Sequence, residues 1–87
     1  MVEIKKKVWP EYFQLILNGK KNVEVRLADF NIKEGDILIL EEFDPETDTY
    51  TGRKIRKTAK EIIKFNPTRM HRTEEIKKFG FYIIEME

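Results

Sequence analysis

Hydrophobic positions along this 87-residue chain switch between a period of two and a period near 3.6, the mark of a small mixed domain. Val2, Ile4 and Val8 keep one parity and leave Lys5 and Lys7 to water, which predicts a half-buried first strand. Lys6 breaks that parity, as a short or edge strand would allow. Pro10 suits a first helical turn, Tyr12 or Phe13, Ile16 and Leu17 recur at helical spacing, and Asn18-Gly19 is a stop signal. A helix is therefore expected over about 10–18.

Val23, Val25 and Leu27 alternate with Glu24 and Arg26, a clear strand signature. Ile37 to Leu40 is apolar on both parities, as in a strand covered on both faces or part of a closed barrel. Asp44-Pro45-Glu46-Thr47-Asp48 reads as a hairpin loop. The return strand, from near Thr49 towards Phe65, is weakly patterned and expected to bend, and Asn66-Pro67 ends it. Thr68 to Lys78 reads as a second short helix and Phe79 to Met86 as a last strand. The order is β-α-β-β-β-α-β with mostly antiparallel neighbours. It predicts one α+β domain over residues 1–87, a small mixed β-barrel of about five strands with two helices. Phe43, Phe65, Phe79 and Phe81 are expected in its core.

Composition narrows the chemistry. The chain has no Cys, no Ser and one His, His71. Disulfides, Cys-based zinc sites and iron–sulfur clusters are excluded, as is a Ser or Cys nucleophile with a His base. No metal or cofactor is expected, and catalysis would fall to Lys, Glu, Asp, Tyr, Thr or the single His. His71, between Arg69-Met70 and Arg72, reads as an exposed residue of a basic helix. No apolar run reaches the roughly 18 residues of a membrane helix, and none follows Lys5-Lys6-Lys7 as in a secretory leader. A soluble cytoplasmic monomer is expected. Twelve Lys and twelve Glu beside a single Gln follow the composition trend of hyperthermophile proteins.

The formal charge of +1 conceals a separation. Glu34 to Asp48 holds seven acidic residues and no basic one, whereas Gly52 to Lys78 holds ten basic residues against three acidic. In a hairpin the acidic strand lies beside the basic one, and cross-strand pairs absorb much of the field. Alternatively Arg53, Lys54, Arg56 and Lys57 place cations on both faces of one strand. One face would then meet Glu41, Glu42 and Asp44 and the other a polyanion. Trp9 and Tyr12, at the strand-to-helix corner, are candidates for stacking on a base, although a lone Trp in a small domain more often packs in the core.

Gly19-Lys20-Lys21-Asn22-Val23-Glu24-Val25-Arg26 fits the pattern G-x-K-x-x-E-x-R. With Trp9-Pro10-Glu11-Tyr12-Phe13 before it, and Gly35 to Leu40, the Asp44 to Thr47 hairpin and Tyr82-Ile83-Ile84 after it, the chain resembles the ASCH domain family, a branch of the PUA-like β-barrels. The likeness is to a small single-domain prokaryotic subgroup and spans nearly the whole chain. It implies a cleft beside the first helix, lined by the motif and suited to RNA or a nucleoside. One branch of that family hydrolyses acetylated cytidine with the motif Lys, a hydroxyl residue three positions on and a later Glu. Lys21 matches the Lys, Glu24 stands where the hydroxyl would be, and Glu74 or Glu75 are candidates for the third.

The residues themselves permit such a site. Glu24 and Arg26 share a strand face about 7 Å apart, within reach of an ion pair. Lys21 has the opposite parity and joins them only if residues 18–22 form a turn. Arg26 could hold a phosphate or a base edge in a fork, oriented by Glu24. A structural Lys-Glu-Arg brace fits the same residues.

The leading expectation is an RNA- or nucleotide-binding module using Trp9, Lys20, Lys21, Glu24 and Arg26, with Arg53, Lys54, Arg56 and Lys57 on backbone phosphates. The alternative is a small amidohydrolase acting on an N-acylated nucleoside such as N4-acetylcytidine, with Lys21 as base and Glu24 moving protons. A third reading is an interaction protein whose acidic hairpin and basic strand meet an oppositely charged partner or a second copy.

Overall fold

The computed structural model describes residues 2–65 and 79–87. The second helix expected over Thr68 to Lys78, the Asn66-Pro67 break and His71 lie outside these residues. The described elements are β1 (Glu3–Val8), α1 (Pro10–Leu17), β2 (Val23–Leu27), β3 (Ile37–Asp44), β4 (Thr49–Phe65) and β5 (Phe81–Met86). They form one five-stranded sheet in the order β1-β3-β4-β5-β2. The β1–β3 contact is parallel, and the other three are antiparallel.

One expectation is corrected: the sheet does not close into a barrel. The described residues hold one helix, α1, and the second expected helix lies outside them. β1 and β2 end the sheet on opposite edges, and no backbone ladder joins them. The gap is bridged instead by a side chain: the Arg26 guanidinium donates to the Lys7 carbonyl at 2.5 Å. A barrel needs edge strands near 4.8 Å apart for N–H to meet C=O directly. An arginine-length bridge marks a wider seam.

The 17-residue β4 couples the two halves of the sheet. Residues 49–58 pair with β3 and residues 59–65 with β5, and the register slips between Ala59 and Glu61. That bulge adds twist where the strand changes partners.

Helix α1 covers one face of the sheet with Phe13 and Ile16, both essentially inaccessible, and packs mainly against β3. Leu38, Leu40, Ala59, Tyr82, Ile84 and Met86 supply the sheet's contribution to the core, and Val8, Ala28 and Ile32 its margin. Each such large apolar side chain contributes about 1.5–3 kcal/mol by leaving water. The aromatic core was expected elsewhere. Phe79 does pack on the cluster, but Phe65 is largely exposed and lies against half-buried Phe81, while Phe43 pairs with Tyr50 at the hairpin. Phe13 and Tyr82 take their place, because helix packing and the β5 register carry those two inward.

Buried Asp36 pins the turn before β3, accepting from the Lys33 N–H at 2.9 Å and the Val2 N–H at 3.3 Å. Those backbone bonds hold its carboxyl below the ordinary value, Lys33 contributing most.

Candidate functional site

The corner between β1 and α1 begins with Trp9, extended at φ −67° and ψ 152°, as a residue before proline should be. Pro10 then opens the helix without wasting an N–H. The helix ends in a Schellman turn: Gly19 N–H donates to the Ile16 carbonyl at 3.1 Å and Lys20 N–H to the Leu15 carbonyl at 2.9 Å. Gly19, at φ +77°, takes the left-handed position that this turn requires. Lys21 N–H also bonds the Leu15 carbonyl at 3.0 Å, so the chain wraps tightly from helix to strand. This is the turn that lets Lys21 reach the face of Glu24 and Arg26.

On β2 the polar face is the inner one. Glu24 pairs in register with fully buried Ile84, and Arg26 with buried Tyr82, whereas Val23 and Val25 face outward at 41% and 58% exposure. An inverted strand of this kind needs its buried carboxylate compensated. Glu24, 5% exposed, receives Lys21 Nζ on Oε1 at 2.5 Å and Arg26 Nε on Oε2 at 2.9 Å. Lys21 Nζ also donates to the Val23 carbonyl at 2.5 Å. Buried side-chain polar atoms without a partner are absent among the described residues.

Lys21, Glu24 and Arg26 lie in a cleft of about 410 Å³ within the seam between β1 and β2. Lys7, Val8, Trp9 and Tyr12 form one wall, and Val23 and Val25 complete the other. Trp9 and Tyr12 are 51% and 47% exposed, with ring centroids 6.5 Å apart, and make an apolar shelf at the rim. The lone Trp is therefore a surface residue.

The other expected residues are not gathered here. Lys20 is exposed and does not line the cleft. Arg53 is engaged elsewhere, its guanidinium forked onto buried Glu42 at 2.9 and 2.8 Å and lying 4.9 Å from the Phe13 ring centre. Arg53 first, and Thr51 through a 2.6 Å bond, lower the Glu42 carboxyl to about 2. Arg56 reaches across the sheet to Glu3 at 2.5 Å. Lys54, exposed, and Lys57, half-buried, make no ion pair among the described residues. The charged hairpin is thus partly self-neutralised, through the single pair Glu42–Arg53.

Sequence reasoning missed the Lys7 carbonyl, which no pattern of side chains reveals, and the burial of Glu42. A signal for Glu42 existed: it keeps the parity of Leu38 and Leu40 and so faces the core.

Residues 4–73 match the family model described as "Domain of unknown function (DUF3850)". The chain belongs to the DUF3850 family. The family match contains the whole G-x-K-x-x-E-x-R segment and the β1–α1 corner. A 49-residue stretch is 45% identical to the "uncharacterized 12.9 kDa protein in GpA 3'region" of Escherichia phage P2. That match takes in 56% of this chain and 43% of the phage protein, so the aligned part is less than half of that relative's length. The crystal structure of hypothetical protein PH0355 has the same fold, with a TM-score of 0.73 at 24% identity over 99% of this chain and 98% of that one.

Proposed function

We propose that this DUF3850 domain is an ASCH-like, PUA-type module that binds RNA or a nucleotide, as a cytoplasmic monomer. The observation that carries the reading is the seam cleft itself. A buried carboxylate holds two cationic side chains at its floor, and an exposed Trp–Tyr shelf stands at its mouth. Stacking on the shelf and hydrogen bonding at the floor are the two elements by which proteins take unstacked bases. A volume near 410 Å³ suits one nucleoside, at the small end of ligand sites. Lys5 and Lys7 lie on β1 beside the seam, with Lys54 on β4 in the same row as Lys7 across β3, and these would take flanking phosphates.

Binding is favoured over hydrolysis by the contacts of Lys21. A general base must accept a proton, whereas Lys21 donates to Glu24 and to Val23, and Glu24 occupies the place of the hydroxyl. Incubation with N4-acetylcytidine, comparing wild type with Lys21→Ala, checks this; turnover that vanishes in the variant would restore the amidohydrolase. The main test is RNA affinity against salt concentration. The expected log–log slope is about −0.7 for each phosphate held. Absent or salt-independent binding would overturn the proposal.

A further inference from the structure

We infer that the cleft chooses its ligand by an acceptor-bearing edge: it takes nucleobases presenting carbonyl oxygens, as uracil and guanine do, ahead of adenine, which has none. The inference rests on the nucleotide-binding reading of the same cleft and goes further by naming the kind of base.

The hydrogen-bonding capacity of the floor leads there. Lys21 has three N–H donors, and the Val23 carbonyl and Glu24 Oε1 occupy two of them. Arg26 has five, of which Nε is taken by Glu24 and one on Nη2 by the Lys7 carbonyl. One ammonium and three guanidinium donors are left over. The matching acceptors are out of reach. The Glu24 side chain is 6% exposed with both oxygens engaged, and the Lys7 carbonyl already receives Arg26. The side chains at the floor therefore offer a ligand donors without an acceptor. Uracil meets such donors with its carbonyl oxygens and guanine with O6 and N7 side by side, whereas adenine has no carbonyl and sets its amino donor beside N1 and N7, which brings a donor up to a cation.

The same contacts argue for a base over a bare phosphate. Glu24 lies between the two cations, so the trio carries a net charge of only +1. The remaining walls, Val8, Trp9, Tyr12 and the two valines of β2, favour a flat, mostly apolar body.

Trp9 is the only tryptophan of the chain and stands at the rim, so its fluorescence reports occupancy directly. The protein is titrated separately with uridine, guanosine, adenosine, inorganic phosphate and a short mixed-sequence RNA. Uridine and guanosine are expected to quench Trp9 at concentrations at least about tenfold lower than adenosine, within the discrimination a well-made base contact provides. Inorganic phosphate should leave the signal unchanged. Arg26→Gln, which puts an acceptor beside a donor at the floor, should reduce the uridine–adenosine difference. Equal quenching by adenosine and uridine, with RNA still bound, would overturn the selection and leave the binding module standing. Quenching by phosphate alone would overturn the choice of a base. No response to any nucleoside or to RNA would overturn both readings.

Discussion

Two buried glutamates in this domain meet the same electrostatic problem with different arrangements of cations. Glu42 and Glu24 are 4% and 5% exposed, and each is neutralised by basic side chains. At Glu42 one arginine supplies both bonds in a fork, Thr51 adds a third, and the guanidinium lies along Phe13 under α1. Neither residue of that pair lines the seam cleft. At Glu24 the two oxygens go to different residues, Lys21 and Arg26, and each keeps donors that the carboxylate does not use. Those donors open onto the seam between two edge strands. On the proposed reading, dividing the compensation between two cations turns a brace into a ligand site, while the fork leaves its counterpart structural.

The comparison can be broken first at Arg53. Arg53→Ala leaves Glu42 buried with only Thr51, and the half-exposed guanidinium sets the loss below that of a fully buried pair, at about 2 kcal/mol. For a domain of this size the melting temperature should fall by roughly 10 °C, while RNA affinity below the transition stays the same. A calorimetric melt with a parallel binding isotherm tests both halves.

Acid should reveal the same pair. The folded-state value of Glu42 lies at about 2 against an ordinary 4.5, so its stabilisation is complete above the ordinary value and fades as pH falls from there towards 2. Melts across that window should show wild type losing more stability than Arg53→Ala. Parallel curves would show that the fork contributes nothing.

Glu24→Gln should cost less, about 1 kcal/mol, because Lys21 and Arg26 are each about a quarter exposed and can turn to water. Its larger consequence is loss of the floor geometry, with RNA affinity falling about tenfold. Trp9→Ala should change stability least, within about 0.5 kcal/mol, since the ring is half exposed. Affinity should nevertheless drop by about 1–3 kcal/mol through lost stacking. A Trp9→Ala protein that melts early would place that ring in the core after all.

Much of this arrangement is legible in residue order. The strand and helix limits followed from period and punctuation, because Pro10 and Pro45 fix φ and Gly19 takes the left-handed turn that other residues disfavour. The motif brought Lys21, Glu24 and Arg26 together before any coordinates did. The open seam was not legible: apolar runs such as Ile37 to Leu40 record burial, and a barrel and an open sheet covered by a helix bury them alike. Nor did the alternation in β2 reveal which face turns inward. Val23 and Val25 would ordinarily claim the core, and Glu24 displaces them only because Lys21, from a turn outside the strand, and Arg26 neutralise it there.

On the proposed reading the Glu24 cluster is a ligand site while the Glu42 cluster is a brace. Chemical-shift mapping of the labelled protein with a short RNA compares the two directly. The account predicts movement of the backbone amides of residues 19–26 and of the Trp9 indole N–H, with the Glu42 and Arg53 amides still. Shifts centred on Glu42 and Arg53, or spread over β4 with residues 19–26 unmoved, would contradict it.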